Sequence, residues 1–290
     1  MTLYDKFAAT QKAKVPYHLV VTNHGSIPMR SIVFLDLDNT LWSFDGTPPS
    51  AMRAIRAAQA NGHLVLANTG RTRFELDDLS YLGLDGICCA AGSDITLHGE
   101  QILLEPLGAD RAREILRSLD IGVGVIIAEG SRACFLQSHD EEILARLQQR
   151  ATGRMAAVAH SEDILSMSDE DYAQVHKFSL MIPLGTQDEM LGLIDLPEGC
   201  AVAPFFFALE VTSDRHTKAS AMEVVRDRMG GSWRTVAIGD SSNDIEMLHA
   251  ADVGIAMGNG TDEAKAASDF VTDTIYEDGL LHAFERLGLV

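Results

Sequence analysis

The stretch IVFLDLDNTLW, from Ile32 to Trp42, decides the fold and poses the first chemical question. It opens as a buried strand (Ile32, Val33, Phe34, Leu35) and ends by placing two carboxylates, Asp36 and Asp38, two positions apart. In an extended chain, residues two apart share a face, so both carboxylates would point the same way. Two like charges that close repel. Either water takes them, or a positive charge is meant to sit between them.

Outward from that strand, apolar strands alternate with amphipathic stretches. Strands are expected over 31–37, 63–67 and 86–90, and helices over 50–61 and 72–82. This βαβα rhythm predicts an α/β fold with a doubly wound parallel sheet. The rhythm then changes, because SDITLHGEQILLEP (93–106) alternates apolar and polar residues about a turn at 98–100, which signals a hairpin. We read this as the start of a different unit, an α+β insert reaching about Pro204. In it, helices are expected over 110–119, 140–149 and 186–194, and strands over 123–128, 134–137 and 177–182; the stretch 154–173 is the least legible. The first rhythm returns with a helix over 218–229, a strand over 235–238, a helix over 241–250, a strand over 253–256 and a helix over 262–267. The domain reading is therefore an N-terminal extension (1–30), a core built from 31–95 and 205–290, and an inserted domain over 96–204. Met29 is a candidate alternative start.

Composition narrows the class of function. The chain has 290 residues, enough for two units, and 23 Lys plus Arg against 42 Asp plus Glu, a formal net charge of −19. That balance argues against nucleic acid or an anionic membrane as the main partner, and leaves room for a small anionic ligand held by local positive charge. The longest apolar runs, VGVIIA and AVAPFFFAL, fall well short of the roughly 18 residues of a membrane span. No signal-peptide pattern marks the first thirty residues, and Cys88, Cys89, Cys134 and Cys200 lack the spacing of a zinc site. A cytoplasmic protein, monomeric or homodimeric, with buried reduced thiols is the expectation.

In an open parallel sheet, ligands bind outside the carboxyl ends of the strands. Four polar groups fall there: Asp36 and Asp38 after the first strand, NTGR (68–71) after the second, Lys218 at the start of a helix, and GDSSND (239–244) after the strand TVAI. Each alone also fits a turn or a cap, as with the S-x-x-D pattern of Ser241 and Asp244. Together they suit phosphoryl transfer. A phosphate dianion repels a nucleophile, so the site needs Mg²⁺ on hard oxygen ligands and a lysine to spread charge. Asp36, Asp38 and Asp240 can hold the metal, and Lys218 and Thr69 the phosphate. Asp36 is then free to attack phosphorus, with Asp38 as proton donor and acceptor.

On these motifs the sequence resembles the haloacid dehalogenase (HAD) superfamily, and within it the Cof-type phosphatases, which carry an α/β cap between the second and third motifs. The resemblance runs from about Ser31 onward. It implies a HAD core with an inserted cap, Mg²⁺ dependence and an aspartyl-phosphate intermediate. DLDNT matches the first motif, with Asp36 as nucleophile and Asp38 as acid/base. NTGR matches the second, with Thr69 on the phosphate, and Lys218 in HTKASAM matches the third. GDSSNDIEML matches the fourth, with Asp240 as metal ligand, Asn243 near the phosphate and Asp244 in or beside the metal shell. Two departures stand out: Asn39 where these proteins usually have glycine, and AAGSDI, with Ala91 and Ser93, where they commonly have Asn-Gly-Ala. The expected substrate is a small phosphate monoester, a sugar phosphate or a phosphorylated cofactor. A phosphomutase, or a phospho-ligand-binding regulatory protein without turnover, are the alternatives. In the insert, His176 and Lys177 are candidate polar contacts, although a strand-edge lysine is ordinarily solvated; His160 and His216 carry no signal.

Overall fold

The computed structural model describes residues 29–290 apart from Phe206. The expected N-terminal extension therefore lies outside the described residues, except for Met29 and Arg30.

Strand β1 (Ser31–Leu35) is wholly buried and alternates between two apolar layers. Val33 and Leu35 face one core together with helices Pro49–Ala60 and Gly279–Leu287; Ile32 and Phe34 face another under helices Lys218–Met229 and Ile245–Ala250. A strand covered on both faces needs the continuous apolar run that opens the motif. β1 pairs in parallel with β2 (Leu64–Asn68) on one side and with the much later β12 (Arg234–Gly239) on the other. β3 (Gly86–Cys89) continues one flank, and β13 (Val253–Ala256) and β14 (Phe270–Val271) the other. The strand order thus turns about β1, and Asp36 leaves the sheet at that switch point.

Two expectations are corrected. The hairpin β4 (Asp94–Leu97) and β5 (Glu100–Leu104) does not open the insert. It pairs antiparallel onto β3 and completes the eight-stranded sheet β14-β13-β12-β1-β2-β3-β4-β5. Alternation reported a hairpin correctly but could not report which sheet it joins. The expected helix over 72–82 is instead two short 3₁₀ turns, Arg73–Glu75 and Ser80–Leu82. Side chains compete with the helical ladder there. Glu75 accepts the Thr72 N–H at 2.6 Å in a capping-box arrangement that opens one turn, but the chain becomes extended at Leu76, and Asp78 accepts from the Ser80 N–H and hydroxyl, both at 2.9 Å.

The second sheet, in the order β10-β11-β9-β6-β7-β8, joins β6 (Val125–Gly130), β7 (Cys134–Ser138), β8 (Glu162–Asp163), β9 (Val175–Met181), β10 (Cys200–Phe205) and β11 (Ala208–Ser213). The chain therefore stays on the first sheet through Leu104 and leaves the second only after Ser213. One face of the second sheet, with Phe178 and Leu180, packs under helix Ala109–Leu119. The opposite face carries Lys177, Ser179 and Glu129, and its apolar part takes in Phe74 from the first 3₁₀ turn. Among the described residues no helix is long and apolar enough to cross a membrane. Cys88, Cys89 and Cys134 are buried free thiols, and burial pushes the Cys89 thiol up to about 12.

Candidate active site

The site assembles at the carboxyl ends of β1, β2 and β12. The Asp36 N–H donates to Ile238 O at 2.9 Å, so the last rung of the β1–β12 ladder fixes its backbone. Helix Lys218–Met229 starts with Thr217, whose hydroxyl accepts the Ser220 N–H at 3.1 Å. This cap sets Lys218 in the first turn. From there its ammonium reaches Asp36 Oδ1 at 2.5 Å and Asp244 Oδ1 at 2.6 Å. The Asn68 amide, at the end of β2, donates to Lys218 O at 2.8 Å and ties the helix start to the sheet.

Asp244 is fully buried, and its second oxygen accepts the backbone N–H groups of Asp240 and Ser241 at 2.9 and 3.0 Å. The S-x-x-D pattern is therefore both cap and site: the carboxylate that closes the turn also holds the lysine. Gly239 makes room for it, since a Cβ there would lie 2.4 Å from Asp244 Cγ. Asp240 accepts a hydrogen bond from the Thr40 hydroxyl at 3.2 Å. Thr69 is buried and its hydroxyl accepts the Arg71 N–H at 3.1 Å; Asn243 takes the Ser241 hydroxyl at 2.8 Å, and its amide nitrogen lies 3.9 Å from where a Cβ on Gly70 would stand.

Electrostatics mark the cluster. Burial drives the Asp36 carboxyl well above the ordinary carboxylate range, with Lys218 pulling the other way and Asp244 and Asp240 adding to the rise. Burial, then the charge of Asp244, pushes Asp240 up to about 6. Burial alone would lower the Lys218 ammonium, but Asp244 and Asp36 outweigh it and hold the lysine protonated. Asp36, Asp240 and Asp244 each bring a carboxylate oxygen within 4.8 Å of the others. Three buried carboxylates against one ammonium leave negative charge uncompensated, and an all-oxygen donor set of this kind fits a hard divalent cation.

Asp38 stands apart from that cluster. Arg71 grips its carboxylate with two hydrogen bonds, Nε to Oδ2 at 2.7 Å and Nη2 to Oδ1 at 2.8 Å, and the Trp42 indole adds a third at 3.2 Å. Burial would raise the Asp38 carboxyl, yet these bonds and the Arg71 charge bring it below its ordinary value. The opening pair of aspartates thus parts: Asp36 turns to Lys218 and Asp38 to Arg71. The sequence reading gave no role to Arg71 although it closes the NTGR motif, and its place two residues after Thr69 was the available signal. Thr40 and Asn68, inside the same motifs, were also passed over. Asn39 has φ 58°, a left-handed turn in which asparagine is among the few side chains tolerated, which explains how it replaces glycine. Ala90 and Ala91 are also left-handed, at φ 48° and 51°. Their N–H groups donate to Arg71 O at 2.7 Å and Thr69 O at 3.0 Å, so this strained turn braces the second motif.

Residues 33–284 match the family model of the haloacid dehalogenase-like hydrolases. This chain belongs to that family. The putative phosphatase YkrA of Bacillus subtilis is 26% identical over 264 residues, covering 89% of this chain and 98% of YkrA. A solved HAD subclass IIB sugar phosphatase superposes with a TM-score of 0.74 at 25% identity, over 90% of this chain and all (100%) of that one. A HAD phosphatase of Bacteroides thetaiotaomicron has the same fold, with a TM-score of 0.78 at 21% identity over 93% and 99% of the two chains. The Cof-type resemblance and the α/β core with a second, inserted sheet are supported by these relatives.

Proposed function

We propose that this chain is a cytoplasmic, Mg²⁺-dependent phosphatase that hydrolyses a small phosphate monoester through a phosphoryl group carried on Asp36. The observation that carries the reading is the buried contact of Lys218 with both Asp36 and Asp244, beside Asp240, at the switch point of the sheet. Asp36, Asp240 and Asp244 would hold the ion, with Asp38 contributing from the same loop. The ion, when bound, supplies charge neutralisation for the phosphoryl oxygens.

The chain's own groups supply the rest. A carboxylate oxygen of Asp36 attacks phosphorus, the ester P–O bond breaks, and Asp38 gives its proton to the departing oxygen. Lys218, Thr69 and Asn243 hold the phosphoryl oxygens. Water then attacks the phosphorus, Asp38 takes its proton, and inorganic phosphate leaves with Asp36 restored. The Arg71 grip favours the Asp38 carboxylate, which is the form the second step needs, and so sets how much of the acid form serves the first. The substrate is small and polar, a sugar phosphate or phosphorylated cofactor. The similarity to a subclass IIB sugar phosphatase and the second sheet inserted between the motifs support that choice.

The test is hydrolysis of a panel of sugar phosphates, pyridoxal phosphate, flavin mononucleotide, nucleotides and phosphopeptides, before and after chelation. Activity on small esters that chelation abolishes and Mg²⁺ restores is the expected result. Full activity after exhaustive chelation, or a preference for phosphopeptides, would overturn it.

A further inference from the structure

The first motif's partner loop continues past Arg71 into a contact that catalysis as described does not use. Glu75, four residues beyond Arg71, is buried, and so are Glu129 on β6 and Lys177 on β9. The Lys177 ammonium lies 2.9 Å from Glu129, 2.9 Å from Glu210 on β11 and 3.7 Å from Glu75. The expectation that Lys177 is solvated fails, because β9 turns Phe178 and Leu180 to the apolar side and Lys177 toward the 3₁₀ turn Arg73–Glu75. Phe74 in that turn packs into the second sheet's apolar cluster, with Arg154 stacked over its ring at 5.8 Å. The second sheet therefore meets the first through the tail of the phosphate-binding motif.

Glu75 has two attachments of different kind. One is the ion pair to Lys177 on the inserted sheet. The other is the short bond from the Thr72 N–H to Glu75 Oε2, at 2.6 Å. Thr72 follows Arg71 directly, and Arg71 is the bidentate partner of Asp38. A continuous run of contacts therefore leads from the inserted sheet to the proposed acid/base group: Lys177, Glu75, the Thr72 N–H, Arg71, Asp38. Burial and then the charge of Glu75 push the Glu129 carboxyl well above its ordinary range, whereas Lys177 and the Thr72 N–H outweigh burial and hold Glu75 below its ordinary value, so Glu75 is a charged member of the cluster. A buried, charged carboxylate held by Lys177 of one sheet and by the Thr72 N–H of the other ties the position of one to the other.

We propose that Glu75 is a positioning residue: anchored by Lys177 of the inserted sheet, it fixes the Thr72–Arg71 backbone and through it the aim of Asp38. The inference rests on the phosphatase reading above, with Asp38 as the proton donor. A displacement of about 1 Å in a catalytic group can cost on the order of 100-fold in rate. The effect must fall on the step that uses the proton. An alkyl phosphate needs its leaving oxygen protonated, whereas p-nitrophenolate departs unaided.

The test compares kcat/KM, which reports the step that breaks the ester bond and not the later hydrolysis common to both esters, on an alkyl phosphate (glycerol phosphate or a sugar phosphate that the wild type hydrolyses) and on p-nitrophenyl phosphate, both with Mg²⁺. The variants are Glu75→Leu, which removes both attachments, and Glu75→Asp, which keeps the charge and withdraws the carboxylate by one methylene. Thermal unfolding checks that each folds. Glu75→Leu should lose about 10- to 100-fold on the alkyl ester and several-fold less on the aryl ester, with Glu75→Asp showing the same bias at smaller size. Should Glu75→Leu not fold, Glu75→Asp decides. An alkyl-to-aryl ratio unchanged from wild type, or equal losses on both esters, overturns the positioning role while leaving the phosphatase reading intact. A wild type inactive on both esters overturns both.

Discussion

His176 offers a test of how the two sheets are joined. It lies on β9, next to Lys177, and is buried. Its ring Nδ1 is 2.7 Å from the Ser93 hydroxyl, in the loop after β3, and its Nε2 is 2.6 Å from the Ser131 hydroxyl, just after β6. Both nitrogens are engaged with neutral groups, and burial pulls the imidazole down to about 4, with Asp94 opposing and His216 and Arg73 assisting. In the unfolded chain the ring titrates near about 6.5. Above that pH it is neutral in both states, and its full stabilisation is present. As pH falls below it, the unfolded state takes up a proton that the folded state refuses until about 4, so stability is lost on acidification. Between about pH 7.5 and pH 4.5 the loss attributable to this ring is about 2–3 kcal/mol. His176→Gln removes the titration while keeping a polar group of similar size. Urea unfolding of both proteins, followed by circular dichroism at intervals across that range, isolates the ring, because the carboxylates titrate alike in each. The wild-type stability should fall more steeply with acid than that of His176→Gln. Parallel curves would refute the neutral, doubly bonded imidazole.

Two further outcomes are expected. Asp38→Asn should lower kcat on an alkyl phosphate by roughly 10²- to 10⁴-fold and on p-nitrophenyl phosphate by less in the bond-breaking step, as read by burst kinetics of p-nitrophenol release. Gly239→Ala should displace Asp244, because the new Cβ would stand 2.4 Å from its Cγ. The wild type should gain thermal stability on adding Mg²⁺, and this variant should gain much less; an equal gain would show that the Gly239–Asp244 packing does not shape the metal site.

The core strands were legible because burial on both faces demands uninterrupted apolar runs, as in IVFL and TVAI. Helix Lys218–Met229 was found at its observed bounds, because Thr217 caps it and Gly230 follows it. The polar residues at the strand ends were equally visible, since Asp36, Thr69 and Asp240 each fall within two residues of the end of an apolar run and Lys218 opens the next helix. What was hidden depends on partners distant in sequence. The hairpin 94–104 reads alike whichever sheet it extends. Lys177 looks like any edge lysine until Glu75, Glu129 and Glu210 converge on it. The stretch 72–82 has helical spacing at Leu76, Leu79 and Leu82, which are buried in the core, but the chain becomes extended at Leu76 and Asp78 takes the Ser80 N–H that a helical ladder would use. Similarly, strand geometry put Asp36 and Asp38 on one face, and the turn at Asn39 together with Arg71 separates their tasks.

The central claim is that Asp36 carries the phosphoryl group, and trapping that group tests it most directly. In Asp38→Asn, p-nitrophenolate still departs without a proton, while hydrolysis of the phosphorylated carboxylate loses its base, so the intermediate should accumulate. Reaction with ³²P-labelled p-nitrophenyl phosphate and Mg²⁺, an acid quench and peptide mapping should place the label on the peptide at Asp36, with none in the double variant that adds Asp36→Asn. Label on another residue, or an Asp36→Asn single variant that turns over at near the wild-type rate, would contradict the account.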